Sequence, residues 1–310
     1  MSLVPAVILL VIVAFILYYS IPSIIYNGTN FFTTYFWNNG NPNGYTTIRG
    51  IQAQQGAAFG FLQFLIGTLL SSFLALAIAF PLALFVSITV EFYIPLKAKK
   101  AMVSIIELFA GIPSVIYGFW GIVVLEPLLY YNIEPWMNRY LGFIPGFSGD
   151  VFTGAGIIAS GFVLSLMIAP IITSVMVNSL DSVPVDIKQG ISSLGATRWE
   201  TAKYLITGYS KSSTYGGTIL GLGRALGETM AVLMVSGTVL NVLPQNLYST
   251  INTMAAQIAS YLDSAFFDGT GMSISALAEL ALVLMGISLA VNLIGRRIAG
   301  RGVLRGYEDD

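Results

Sequence analysis

Polar and apolar positions separate along this chain into long apolar runs divided by shorter polar stretches. The runs lie at approximately 3 to 21, 59 to 88, 102 to 128, 154 to 177, 215 to 240 and 274 to 295. Each approaches or exceeds the about 20 residues a helix needs to cross a hydrocarbon core roughly 30 Å thick. The pattern predicts an all-α, polytopic membrane protein with six transmembrane helices. Pro81, Pro113 and Pro170 fall inside these runs and are read as kinks, because bilayer helices tolerate proline where neighbours satisfy the freed carbonyls. The first run has no Lys or Arg before it and no clear small-x-small cleavage site after it, so it is read as a retained helix rather than a signal peptide. No internal repeat argues for an inverted-repeat transporter plan.

Composition agrees. Of 310 residues, 55% are hydrophobic and 9% charged, against roughly 25% charged in a soluble domain. The absence of Cys and His removes disulfides, thiolate metal sites and imidazole acid-base chemistry. The distribution of basic residues sets orientation. Lys97, Lys99 and Lys100 lie in the second connection, Lys188, Arg198, Lys203 and Lys211 in the fourth, and Arg296, Arg297, Arg301 and Arg305 in the tail. With these regions cytoplasmic, only Arg49 and Arg139 are outside and Arg224 is left within a span, which satisfies the positive-inside rule with both termini in the cytoplasm. The chain then divides into a first transmembrane helix with an extracellular loop (1–58), a five-helix core (59–295) with a cytoplasmic loop at 179–213, and a basic tail (296–310). Nothing in the charge suggests nucleic-acid binding.

The outer stretch from Ser20 to Ala58 is rich in Asn, Gly and aromatics, and Tyr26, Phe31, Phe32, Tyr35, Phe36 and Trp37 are expected at the headgroup level. Asn27-Gly28-Thr29 is a glycosylation sequon, a triplet common by chance. The connection from Asn241 to Ser273 carries Asp263 and Asp268, and a short helix is expected around Thr250 to Leu262.

Four charged residues fall inside the predicted spans: Glu107, Arg224, Glu228 and Glu279. Charge near a bilayer centre costs about 2.5 to 3.5 kcal/mol on insertion scales and usually marks a pathway or an ion pair. Arg224 and Glu228, four apart, are expected on one helical face within reach of each other. They form either a structural pair that lets the helix insert or a charged station on a substrate route. For Glu107 and Glu279, nearer helix ends, a structural role is favoured. On the same run Gly217 with Gly221, and Gly223 with Gly227, have the GxxxG spacing that lets a second helix approach. Gly221 to Gly227 is no dinucleotide fingerprint, because its third Gly is one place late and no strand precedes it. No phosphate-binding G-x-x-x-x-G-K-[ST] loop is present, so any ATP must sit on another chain.

The fourth connection is polar but patterned. Short amphipathic helices meeting near Gly195 would present Leu194, Trp199 and Leu205, as a protein contact does; the alternative is a helix lying on the inner headgroups. Here the chain resembles the permease subunits of ABC importers, whose signature is Glu-Ala-Ala, three residues, Gly, nine residues, then Ile-x-Leu-Pro. Gly195 takes the Gly position and Leu205 the Ile position, whereas Gln189 stands for the Glu, Gly190 and Ile191 for the alanines, and Thr207-Gly208 for Leu-Pro. Ala110 to Gly118 (AGIPSVIYG) and Leu222 to Val232 (LGRALGETMAV) look like the phosphate importer's permeases. Met-Ala-Val after Gly-Glu-Thr resembles the PstC type more than the PstA type, and the likeness covers roughly 60 to 295.

The resemblance implies one half of a type I ABC importer (MetI-like fold) in the plasma membrane. It pairs with a PstA-type permease, two ATPase subunits dock on the cytoplasmic loop, and an extracellular binding protein delivers inorganic phosphate. The chain would be no enzyme itself and hold no cofactor, with ATP and Mg on the partner ATPase. The coupling residues would be Gln189, Gly190, Gly195, Ala196, Thr197, Arg198, Trp199, Glu200 and Leu205, and the pathway residues Arg224 and Glu228. Alternatives are a permease for molybdate or sulfate, a PstA-type subunit, an ion-coupled secondary transporter, or a membrane scaffold.

Overall fold

A computed structural model describes residues 3–304, with side chains described for 4–297. Helix α1 (Leu3–Asn27) runs past the expected end of the first span. Its upper turns expose Val7, Leu10 and Val11, whereas Ser20, Ser23, Tyr26 and Asn27 recur on one helical face and are buried. A short helix, α2 (Asn30–Thr33), leads to strands β1 (Trp37–Asn38), β2 (Asn41–Ile48), β3 (Ile51–Gln55) and β4 (Ala58–Phe59). β1 pairs with β4 and β2 with β3, all antiparallel. The β2–β3 hairpin turns through Arg49 and Gly50 at φ 52° and 82°, the positive-φ pair of a turn whose twist matches its strands.

Helix α3 (Leu62–Ile88) contains Pro81 and ends in a π-turn, Thr89–Tyr93. Helix α4 (Leu96–Gly111) follows, and then α5 (Ser114–Trp120), α6 (Glu126–Leu128) and α7 (Glu134–Leu141), which are joined through π segments Gly121–Leu125 and Leu129–Ile133. Each π segment closes on the N–H of a glutamate that precedes a proline, Glu126-Pro127 and Glu134-Pro135; because proline supplies no N–H, the ladder widens there. Helix α8 (Ile157–Asp181) contains Pro170. Then come α9 (Val185–Ser193), α10 (Arg198–Thr207), α11 (Lys211–Leu226), α12 (Met230–Val235), α13 (Met254–Ala265) and α14 (Met272–Leu304). α13 fulfils the expected short helix near Thr250 to Leu262.

Two expectations about spans are corrected. Pro113 is an end and not a kink: Ile112 before it has ψ 130°, the extended conformation that a following proline's Cδ imposes. The third long apolar run is therefore Ser114–Leu141 rather than 102 to 128. Nor is 215 to 240 one helix, since α11 stops at Leu226, α12 begins at Met230, and no helix follows until Met254. Among the described residues five helices are long and apolar enough to cross a membrane.

Two compact units form, each from three stretches. The first holds the chain up to Ser71, Gly118–Ser160 and Gly227–Ile287. Its apolar core joins Phe31, Trp37, Phe59, Phe61 and Phe64 to Met254, Met272 and Leu280. Tyr26, Phe31 and Trp37 lie in a packed interior, while Phe32 and Phe36 are exposed. Asn241 ties this core together, bonding both the N–H and the C=O of Trp37 and donating its own N–H to Gln63 at 2.6 Å. Asn27 is 7% exposed and its Nδ2 donates to Ser23 Oγ, so the nitrogen that glycosylation would use is engaged. Asp268 accepts from the N–H and hydroxyl of Thr270 and of Ser273 at the start of α14. Burial opposes its charge, but these bonds outweigh burial and hold its carboxyl below the usual range.

The second unit holds Ser72–Tyr117, Gly161–Leu226 and the chain from Ser288. In it α11 lies against α8, with Gly217 facing Val175 and Gly221 facing Ile172, and against α14, with Gly223 facing Asn292. Arg296 and Arg297 of the expected tail continue α14, and residues 305–310 of that tail lie outside the described residues.

Candidate functional site

Arg224 occupies the last turn of α11 and is exposed. A cation there is favoured by the partial negative charge of the helix C-terminus. Glu228 lies beyond the helix, so the expected pairing of the two at helical spacing is corrected; Gly227 lies in the same gap, and Gly223 and Gly227 share no helix face. The break has a local cause. Gly227 is costly in a helix, and Glu228 turns its Oε1 to accept the N–H of Ala231 in the first turn of α12 at 3.4 Å. Three ion pairs form among the described residues, and none involves Arg224 or Glu228.

The remaining charged residues separate clearly. Glu279 is 2% exposed and accepts the Ser23 hydroxyl, which itself accepts from Asn27. It joins α14 to α1, in keeping with a structural role. Glu107 is exposed on α4 and lines a cavity of about 530 Å³ with Ser104, Leu108, Gly111, Ile112 and Pro113.

The loop between α8 and α11 folds as a helical hairpin, α9 and α10, turning at Gly195. Gly195 has φ 87°, and a Cβ there would meet nothing within 4 Å. Glycine is therefore required by its backbone conformation and not for room. α10 begins with a capping box: Thr197 Oγ1 accepts from Glu200 N, and Glu200 Oε2 accepts from Thr197 N and Oγ1, both at 2.8 Å. The backbone N–H and then the hydroxyl of Thr197 hold the Glu200 carboxyl below its usual range. The T-x-x-E spacing of Thr197 and Glu200 is the sequence signal for this cap.

Gln189, Gly190, Leu194, Gly195, Thr197, Arg198, Trp199 and Glu200 are exposed and Ala196 is half-buried. Leu194, at the turn, is 90% exposed. Trp199 keeps 45% of its surface exposed and stacks at 6.3 Å on Phe85 of α3. Leu205, expected on the presented face, is instead 1% exposed and packs with Leu180 and Val183. It anchors the hairpin from below.

The sequence reading missed Glu91, in the π-turn after α3. Its carboxylate accepts from Lys99 of α4 and Lys188 of α9, each at 2.6 Å, and Lys99 also pairs with Asp181. Burial disfavours the Lys99 charge, but its bonds to Asp181 and Glu91 outweigh that and raise its pKa. An acid closing an apolar run, just before Pro95 and a lysine-rich stretch, was the available signal.

Comparison with known proteins fits this geometry. Residues 79–301 match the family described as binding-protein-dependent transport system inner membrane component. The chain is 40% identical over 283 residues to the phosphate transport system permease protein PstC 1 of Mycobacterium tuberculosis, covering 90% of this chain and 82% of that one. It is 38% identical over 248 residues to PstC of Pasteurella multocida (79% and 76% covered) and 31% identical over 289 residues to a probable PstC of Methanocaldococcus jannaschii (93% and 87%). In fold it is similar to a chain of the MetNI methionine ABC transporter in an inward-facing conformation, with TM-score 0.51, 18% identity, and 78% of this chain and 94% of that one covered. The chain therefore belongs to the inner membrane components of binding-protein-dependent transport systems, as a multi-pass permease subunit.

Proposed function

We propose that this permease forms half of the pathway of an ATP-driven phosphate importer, with Arg224 as its anion contact. The observation that carries the reading is an exposed guanidinium, free of ion pairs among the described residues, on the last turn before a helix break. Arg offers a permanent charge and a fixed fork of donors that matches a tetrahedral oxyanion. The names of the relatives support phosphate as that oxyanion.

The partners under this reading are a PstA-type permease, a pair of ATPase subunits that hold ATP and Mg, an extracellular phosphate-binding protein, and surrounding lipid. Both termini face the cytoplasm, and the α9–α10 hairpin is the ATPase dock. ATP-driven closure of the ATPase pair moves the hairpin, which tilts the connected helices. Trp199→Ala is expected to weaken ATPase co-purification and phosphate-stimulated ATP hydrolysis together. Wild-type values for both would remove Trp199 as the anchor.

Glu228 is read as a filter. A carboxylate accepts a hydrogen bond only from a protonated oxygen, which phosphate carries near neutral pH and sulfate does not, so Glu228 passes the one and repels the other. The complex reconstituted with its partners in proteoliposomes should take up phosphate only with ATP, and Glu228→Gln should lower its preference for phosphate over sulfate. Phosphate uptake without ATP by the purified chain alone would overturn the importer reading, and unchanged selectivity in Glu228→Gln the filter.

A further inference from the structure

The apolar contact beneath the α9–α10 hairpin is small: Leu180, Val183 and Leu205 form its buried core, with Phe92, Ile191 and Ile206 around them. Beside it lies a solvent-open groove of about 490 Å³ lined by Glu91, Phe92, Lys188, Gln189, Arg198 and Thr201, among others. Close packing transmits displacement because interiors are nearly incompressible. With so few buried apolar side chains, this contact alone couples the hairpin weakly.

Polar contacts add to it. The Glu91 side chain is 5% exposed, and its two oxygens are divided between helices, Oε1 to Lys188 of α9 and Oε2 to Lys99 of α4, each at 2.6 Å. Lys99 reaches on to Asp181, the last residue of α8. From α10, Arg198 Nη1 donates to the carbonyl of Phe92 at 3.2 Å, and its guanidinium lies 5.8 Å from the centre of the Tyr93 ring. The π-turn that carries Glu91, Phe92 and Tyr93 is thus bonded to both hairpin helices and to α4. Apolar side chains can slide past one another, whereas a buried carboxylate held from two sides fixes distance and direction.

We infer that Glu91 is a positioning residue for energy coupling, clasping hairpin helix α9 to the end of α3 and the start of α4 so that displacement of the hairpin reaches both. The inference rests on the hairpin being the ATPase dock. Glu91 touches neither substrate nor nucleotide in this scheme; it acts through Lys188 and Lys99.

The test uses the assembled importer in proteoliposomes and reads phosphate taken up per ATP hydrolysed. Glu91→Gln keeps the shape and removes the charge. It should retain the ATPase subunits and hydrolyse ATP near the wild-type rate while phosphate moved per ATP falls roughly tenfold, within the range that mutations in coupling networks produce. Glu91→Asp should recover part of the loss, and Glu91→Gln combined with Lys188→Gln should be no worse than Glu91→Gln alone, as expected of two residues acting through one contact. Should Glu91→Gln fail to assemble, Lys188→Gln, whose side chain is more exposed at 21%, carries the same expectation. An unchanged ratio in an assembled variant, or uptake and hydrolysis falling in parallel, overturns the clasp. A wild-type complex that hydrolyses ATP without moving phosphate overturns the transport reading, and the clasp with it.

Discussion

Replacing Arg224 by alanine is expected to abolish phosphate uptake by the assembled complex while leaving the complex intact. The two halves of this prediction have separate physical grounds. Charge-assisted hydrogen bonds contribute about 1.5–3 kcal/mol each, so if the guanidinium makes two of them to an oxyanion, as proposed above, its loss should slow uptake by about a hundredfold or more. Assembly survives because Arg224 is exposed and has no ion pair among the described residues, so no buried partner is left uncompensated. What α11 loses is the dipole interaction of its last turn, about 0.3–1 kcal/mol. Arg224→Lys should fall between, since it keeps the charge but not the fork. Uptake within twofold of wild type in Arg224→Ala, measured as initial rate in proteoliposomes, would be about 0.4 kcal/mol by the rate relation and would exclude Arg224 as the contact.

The second large effect is expected from Gly221→Leu. A Cβ at Gly221 would stand 2.8 Å from Cγ1 and Cδ1 of Ile172, closer than carbon atoms approach without movement, and leucine adds three further carbons. At Gly217 a Cβ would already be 3.0 Å from the Cβ of Val175, which cannot swing aside because it is fixed to the backbone. Ile172 is fully buried, so its side chain is forced off its rotamer or helix α11 moves off α8, at the about 1–3 kcal/mol or more typical of overpacking, and any shift of α11 displaces Arg224. The variant should show a lower thermal unfolding midpoint and a large loss of uptake. Gly286→Leu is the control, because a Cβ at Gly286 meets nothing within 4 Å. It should unfold at or above the wild-type midpoint, since glycine is the poorer helix former by roughly 0.5–1 kcal/mol. Equal midpoints for the two variants would mean that α11 does not pack as described.

These predictions differ in how far they were legible in the sequence. The glycine spacing at Gly217 and Gly221 announced a close helix approach, and α8 provides it. The same spacing at Gly223 and Gly227 announced another; Gly223 does face Asn292 of α14, but the end of α11 at Leu226 leaves Gly227 off that face. A periodicity argument assumes a continuous helix and cannot detect where continuity fails. Pro113 shows the same limit. Prolines at 81, 113 and 170 all interrupt apolar runs, yet only the one at 113 ends its helix, with Gly111 two residues before it and Ile112 extended.

By itself, the sequence determined what depends on composition and local spacing: a multi-pass helical protein, the patterned polar loop with its turn at Gly195, and Arg224 as a charge that needs a reason. These are properties of short segments, because apolar run length, glycine conformation and the cost of a charge in lipid are all set within a few turns. Tertiary structure decided whatever depends on residues far apart in sequence. It turned Leu205 inward onto Leu180 and Val183, drew Trp37 into a core with Met254, and brought Glu279 to Ser23 across 256 positions. It also joined Glu91, Lys99, Asp181 and Lys188 into one network. Partners of this kind follow no period along the chain. The burial of each is settled only when the other's helix has arrived, which is why an acid before a lysine-rich stretch marks Glu91 in the sequence without naming Lys188 or Lys99 as its partners.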